Sequence, residues 1–539
     1  MDLRDKAAQL VFVSFYGEAL NTRSAEYQKY LRWVRELRVG GLVLVNRVRY
    51  GSVQQAEPFA LAAFLNRMQR AARVPLLVAG DFERGVSMRV RSETKIPHNM
   101  AFAAARDPEL SRFAGAVTAR QARALGVPWI LAPVADVNNN PENPIISIRS
   151  YGENPEEVAA HVRAFIEGAH SAPDRVLVTI KHFPGHGDTG TDTHLALAVL
   201  NADSERLDAV ELPPFRAGIA AGVDSIMTAH IAVPALDSPS VPSTLSRAVL
   251  TGLLREKLHF RGLITTDALD MQGITNHWNA EEAAVKAIQA GADVLLMPAN
   301  PEQAVEGIVR AVKRGEISRR RLDESVSRIL AAKARVNLHR KRYVNLEAIM
   351  DALDQPEDIA RADEIAERAV TLVKNEGSLL PVNGARTAFV VLPESARGEQ
   401  GRLFAEEVRK RAPDAPLVVL RPDASAAEFD SAIEAVKGAR AAVVAAFASV
   451  AAYRGSTALA GGYPKLLEAL IAGGPPVALI ALGNPYLARS FPGISAYVAV
   501  YSPASPCERA AVKAIFGEIP FRGKLPVTIP GVAKYGDGL

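Results

Sequence analysis

The chain has 539 residues, room for two large domains or for three to four of ordinary size. Lys plus Arg (63) barely exceeds Asp plus Glu (59), and this net charge of +4 argues against a dedicated nucleic-acid binder; 48% apolar and 23% charged residues exclude bulk disorder. The single cysteine, Cys507, excludes an internal disulfide and a cysteine zinc cluster, and the longest apolar run, Ala441 to Tyr453, is too short to span a bilayer.

The chain opens with charges at Asp2, Arg4, Asp5 and Lys6 and passes straight into a strand-like run, without a secretory-signal pattern. The expectation is a cytoplasmic protein, or a periplasmic or secreted one if a signal has been removed. Eight nearly continuous apolar runs then alternate with Ala-rich helical stretches: Leu10 to Phe15, Gly41 to Val45, Pro75 to Asp81, Trp129 to Val137, Val176 to Phe183, Ser225 to His230, Gly262 to Ala268 and Asp293 to Pro298. Runs of this kind are strands covered on both faces, and eight βα units predict a (β/α)8 barrel over residues 1–338; a long doubly wound sheet is the alternative. Run after run finishes in a polar or ionisable residue: Asp81, Asp136, Lys181 with His182, His230 and Asp267. In a barrel this is the end where active sites are built. Residues 339–365 read as a helical linker, with the basic "HRKRY" a solvated helix end. Five further strand-like runs in 366–539, at Thr387, Pro416, Ala441, Pro476 and Ala496, predict a C-terminal α/β sandwich. Few of them end in ionisable residues.

The densest polar stretch, "KHFPGHGDTGTDTH" from Lys181 to His194, follows the fifth run. Its "GHGDTG" matches a phosphate-loop pattern, but no apolar helix opens after it and Asp188 and Asp192 would repel phosphate. His182, His186, Asp192 and His194 are metal-ligand types, although ligands in barrel hydrolases usually arrive from several strands. The third reading is acid–base chemistry: an Asp two residues before a His, as in Asp192 and His194, can hydrogen-bond the imidazole and fix its tautomer. Asp267, at a buried strand's end, is a candidate nucleophile or base, whereas Asp270 reads as a helix cap. Arg89, Arg149 and Lys181 add cations that keep carboxylates ionised and donate to hydroxyls. A carboxylate nucleophile, a proton donor and hydroxyl-binding groups together describe a glycosidase site.

These motifs resemble glycoside hydrolase family 3, and more narrowly its β-N-acetylglucosaminidase branch. "GDFERGVSMR", "APVADVN", "RSYGENPEEV", "KHFPGHGDTGTDTH", "IMTAHI" and "TTDALDM" fall in family order, and "AVTLVKNEGSLLPV" and "GEIPFRGKLPVTIPG" look like its C-terminal sandwich. The resemblance implies Asp267 as nucleophile, His194 as acid/base with Asp192 as its carboxylate partner, and Asp81, Arg89, Arg149, Lys181 and His182 as holders of the non-reducing GlcNAc. Asp136 and His230 receive a supporting role. Two departures stand out: Arg84 replaces a usual Gly, and Thr193 replaces a usual Ser.

The expected activity is a retaining exo-β-N-acetylglucosaminidase acting on cell-wall fragments (muropeptides) or chitin-type oligomers, with no cofactor, metal, nucleic acid or membrane span. Phosphorolysis is a side reaction that a histidine base permits. The alternatives are a family 3 β-glucosidase or β-xylosidase, a metal-dependent barrel hydrolase and a sugar-binding protein without turnover. Oligomeric state is left open.

Overall fold

The computed structural model describes residues 1–49, 52–396 and 398–539. Eight parallel strands form one sheet: β1 (Val11–Phe15), β2 (Gly41–Leu44), β3 (Leu77–Gly80), β4 (Trp129–Ile130), β5 (Leu177–Phe183), β6 (Ser225–Thr228), β7 (Leu263–Thr265) and β8 (Leu295–Leu296). Each pairs with its sequence neighbour, β8 pairs back onto β1, and a parallel bridge from Thr265 to Val294 brings β7 to β8. The result is the predicted (β/α)8 barrel, and every strand lies inside one of the eight predicted runs. The ladder of β4 is shorter than its run because Pro133 offers no N–H to a neighbour. The extended chain still continues to the sheet's end, where Val134 bridges Lys181.

Inside the barrel, bulky side chains interlock as layers. Phe12 meets Trp129 edge to face at 5.4 Å, and the Trp129 indole N–H donates to Thr179 Oγ1 at 2.8 Å. Gly41 makes room for this packing, since a Cβ there would come within 2.2 Å of the Phe12 ring. The surrounding helices start and stop where their caps say. The helix Ala280–Ala290 opens on a reciprocal Asn279/Glu282 capping box and stops at Gly291, whose φ of 132° excludes most other residues.

After the helix Arg319–Arg335 the chain runs through the short helix Ile349–Ala352 to the helix Pro356–Ala369, which crosses position 365 without a break. A second sheet follows: β9 (Thr371–Asn375), β10 (Thr387–Leu392), β11 (Leu417–Val419), β12 (Ala441–Ala448), β13 (Val477–Gly483) and β14 (Ala496–Ala499), in the order β9-β14-β13-β12-β10-β11. The five predicted runs supply β10 to β14, all parallel along the sheet. The antiparallel edge strand β9 was not among the predicted runs. Three of the five residues of its "TLVKN" are polar, as suits an edge. Apolar layers cover both faces of this sheet, which makes it the α/β sandwich expected.

The two domains share an interior. Met100, Ala101, Ala104 and Ile148 of the barrel belong to the same buried cluster as the β10–β14 face of the sandwich. Polar ties reinforce it: the Glu153 carboxylate accepts from Thr528 N and Oγ1, both at 2.7 Å, and Asn138 donates to the Tyr486 hydroxyl at 3.0 Å. Among the described residues, no helix is long and apolar enough to cross a membrane.

Candidate active site

Strand ends of the barrel bring the predicted residues to one mouth. Asp81 follows β3, Asp136 lies in the extension of β4, Lys181 and His182 sit in β5, His230 follows β6, and Asp267 follows β7. Two clusters result.

The first is an ion-pair network. Lys181 Nζ reaches Asp81 Oδ1 and Glu83 Oε1, each at 2.7 Å. Arg149 grips Glu83 with two N–H groups, Nε to Oε2 at 2.9 Å and Nη2 to Oε1 at 2.8 Å, and Arg89 donates to Asp81 Oδ2 at 3.0 Å. Burial would push both carboxyls up, but Lys181 with Arg89 holds Asp81 below its usual range, and Arg149 with Lys181 holds Glu83 well below it. Lys181 is pushed down by burial yet ends above its ordinary value because Asp81 and Glu83 face it. Asp81, Glu83 and Lys181 are therefore charged at neutral pH. Asp81 (25% exposed) and Arg89 (19%) open to the cleft, while Lys181 (3%) is nearly covered behind them.

Sequence reasoning named Asp81, Arg89, Arg149 and Lys181 here and missed Glu83. The signal was available: Glu83 stands two residues after Asp81, and alternate positions of an extended segment face the same side. Arg84, next to it, is half-buried and makes no hydrogen bond or ion pair among the described residues. Burial and the neighbouring Arg89 push its pKa down to about 10.

The second cluster surrounds the long loop after β5. Asp136 is fully buried and is its hub: its Oδ2 meets His182 Nδ1 at 2.7 Å, and its Oδ1 accepts from the backbone N–H groups of His182 (3.1 Å) and His186 (2.8 Å). Asp136 is thus more central than its supporting assignment implied. Both ring nitrogens of His186 are occupied within the loop, by Thr189 at 2.6 Å and Thr193 at 3.1 Å, and burial pushes its pKa down to about 4. His186 is a neutral brace for the loop. Among the described residues no group of three or more His, Cys, Asp or Glu is placed to hold a metal ion.

At the loop's far end Asp192 Oδ1 lies 2.8 Å from His194 Nδ1 and also accepts the His194 backbone N–H at 2.9 Å. Burial opposes the charge on Asp192, but the His194 bonds outweigh it and keep the carboxyl below its usual range. Asp192 is covered, whereas the His194 ring is 24% exposed, so the imidazole's free edge is the part open to the cleft. Asp267, half-buried, accepts the N–H of Ala268 at 2.7 Å. Burial would raise its pKa, but His182, His230 and His194 together bring it below the ordinary carboxylate value, which leaves an ionised oxygen facing the mouth. Asp270 is not the helix cap expected: it is exposed, and the next helix, Gln272–Thr275, starts from Met271 with no side-chain cap.

One neighbour of the dyad was not foreseen. Tyr453, on a loop of the C-terminal domain, donates its backbone N–H to Asp192 Oδ2 at 3.0 Å and lays its ring 5.0 Å from the His194 ring. No local pattern announces a partner that lies so far along the chain.

Comparison with known proteins identifies the family of this fold. The family model for the glycosyl hydrolase family 3 N terminal domain matches residues 2–332, and that for the family's C-terminal domain matches residues 370–537. A beta-N-acetylglucosaminidase/beta-glucosidase of Cellulomonas fimi is 34% identical over 386 residues, covering 70% of this chain and 66% of the relative, just under two thirds of its length. Among solved structures, a glycoside hydrolase family 3 beta-N-acetylglucosaminidase from Paenibacillus sp. str. FPU-7 superposes with a TM-score of 0.86 at 32% identity, covering 98% of this chain and 99% of the other. Beta-glucoside phosphorylase BglX superposes with a TM-score of 0.85 at 26% identity over 98% of this chain and 95% of its own. The barrel, the sandwich and both family matches agree: the chain belongs to glycosyl hydrolase family 3.

Proposed function

We propose that the protein is a retaining exo-β-N-acetylglucosaminidase that removes a terminal β-GlcNAc from cell-wall fragments or chitin-type oligomers. The observation that carries this reading is the pairing of an ionised Asp267 with a half-open imidazole, His194, held by the buried Asp192 carboxylate. Relatives named for GlcNAc hydrolysis, in Cellulomonas fimi and Paenibacillus, support the choice of sugar.

The chemistry follows from the groups present. Asp81 and Arg89 bind hydroxyls of the terminal sugar, Arg149 and His182 complete the wall, and Lys181 steadies the two carboxylates from behind. Asp267 attacks the anomeric carbon while His194 gives a proton to the departing oxygen. The glycosyl ester on Asp267 is then hydrolysed by a water that neutral His194 deprotonates, so configuration is retained. Asp192 stabilises the imidazolium at each turn.

A second reading has its own support. Imidazole carries no negative charge when it acts as base, so phosphate can approach the ester where a carboxylate base would repel it, and one structural neighbour is titled a beta-glucoside phosphorylase.

The test compares 4-nitrophenyl β-GlcNAc with the β-glucoside, with and without phosphate. Preference for the acetamido sugar is expected. Preference for glucose that survives His194→Ala would replace this reading by the β-glucosidase one. GlcNAc-1-phosphate appearing with added phosphate would establish phosphorolysis, and its absence would remove it.

A further inference from the structure

The reacting groups all come from the barrel, yet one hydrogen bond to the dyad does not. Asp192 uses Oδ1 for His194 and Oδ2 for the backbone N–H of Tyr453 in the C-terminal domain. The ring and the backbone N–H of His194 both use Oδ1, so the orientation of the carboxylate plane is fixed fully only when Oδ2 is held too. Tyr453 supplies that tie, and nothing else among the described residues is recorded on Oδ2.

The loop that carries Tyr453 is built to stay in place. It leaves β12 at Ser449, whose N–H and hydroxyl donate to the Glu394 carboxylate at 2.9 and 2.7 Å. The same carboxylate pairs with Arg454, so one acid staples the loop's start to its tip. Asn484 holds the far side through Thr457 O at 3.0 Å. Tyr453 sits at φ +67°, a conformation rare for a side chain of its size and kept only where the surroundings enforce it. Contact with the barrel extends beyond the single bond: the Tyr453 ring meets the His194 ring edge to face at 5.0 Å, and Gly455 packs where an added Cβ would stand 3.3 Å from Leu195.

We propose that Tyr453 is a positioning residue for the Asp192–His194 pair, through which the C-terminal domain sets the protonating power of a site whose reacting groups belong to the barrel. This rests on the acid/base assignment above. The groups facing His194 are Asp192 on its own loop, Asp267 and Asp270 after β7, His230 after β6 and Tyr453 from the sandwich. Only the last depends on the second domain.

Two substitutions separate the hydrogen bond from the ring. Tyr453→Pro deletes the N–H and forbids the positive φ; Tyr453→Gly removes the ring but keeps both. Chitobiose has a sugar leaving group that needs protonation, whereas 4-nitrophenolate needs little. Tyr453→Pro should lower kcat/KM on chitobiose by about tenfold or more and move the alkaline limb of its pH profile to lower pH, because the imidazolium loses a fixed partner. The same variant should stay within about threefold of wild type on 4-nitrophenyl β-GlcNAc, and Tyr453→Gly within about threefold on both. Equal losses on the two substrates, or glycine as damaging as proline, would overturn the proposal. A His194→Ala variant as active as wild type on chitobiose would remove the acid/base reading itself and the proposal with it.

Discussion

Glu83 is the residue on which the ion-pair network around Lys181 depends. It sits 7% exposed between Arg149 and Lys181 and forms an ion pair with each. Removing one partner of a buried ion pair leaves the other uncompensated, at a cost of about 3–5 kcal/mol. Glu83→Ala should therefore lose about 3 kcal/mol of stability, seen as a lower thermal midpoint, and about a hundredfold in kcat/KM, because Arg149 and Lys181 no longer hold their places. Retention of wild-type midpoint and activity would show that the network is dispensable. At this scale the sequence was legible where spacing is local. Asp192 and His194 stand two apart, and the bond between their side chains was expected from that alone. Glu83 and the central place of Asp136 were not read, because a lone acid in a loop shows its value only when its partners arrive from other strands. Tyr453 lay beyond reach for the same reason, 261 positions from the Asp192 it serves.

The loop after β5 is the element that turns a barrel into this site. Its glycines are there for contact as well as bending: a Cβ on Gly187 would stand 1.8 Å from the Val137 carbonyl oxygen, on the very segment that carries Asp136. Gly187→Ala should push loop and segment apart and cut kcat on 4-nitrophenyl β-GlcNAc by about a hundredfold, while far-UV circular dichroism stays that of the wild type. Gly190 has nothing within 4 Å of an added Cβ, and Gly190→Ala is the matched control expected to retain activity. The strands were readable because parallel strands covered on both faces are continuous apolar runs. Edge strand β9 was not, since its outer side carries polar residues and breaks that pattern. The tenfold loss on chitobiose predicted for Tyr453→Pro belongs to this scale too, as the loop rather than the phenol delivers the bond.

Across the whole molecule, the buried histidines set a limit on acid stability. His161, stacked on Tyr151 and bonded to Ser111 at 2.8 Å, is pushed down to about 4 by burial, as is His186; His98 and His230 are pushed down as well. Each is neutral in the fold with a pKa below 6.5, so the unfolded chain takes up the proton first. For His161 and His186 that stabilisation is complete above about pH 6.5 and is lost toward pH 4, at about 1.4 kcal/mol per pH unit for each; His98 and His230 act in the same direction. The thermal midpoint should fall over that window, and the gap between wild type and His161→Gln should narrow as pH drops; a constant gap would contradict the assignment. The same burial welds the domains, with Met100 and Ile148 of the barrel inside the sandwich's apolar layer. That joint fixes the Tyr453 loop against the dyad. The two-domain order was legible from the change of rhythm near residue 366, whereas the joint was not, because no periodicity records which surface meets which.

The glycosyl ester at Asp267 is the central step of the proposed mechanism. The direct measurement is the intact mass of His194→Ala during turnover of 4-nitrophenyl β-GlcNAc, followed by peptide mapping. Without its base the enzyme should accumulate one N-acetylglucosaminyl group, on the peptide that contains Asp267, with a burst of nitrophenol. An enzyme that turns over with no adduct, or carries the sugar on another residue, would contradict the mechanism.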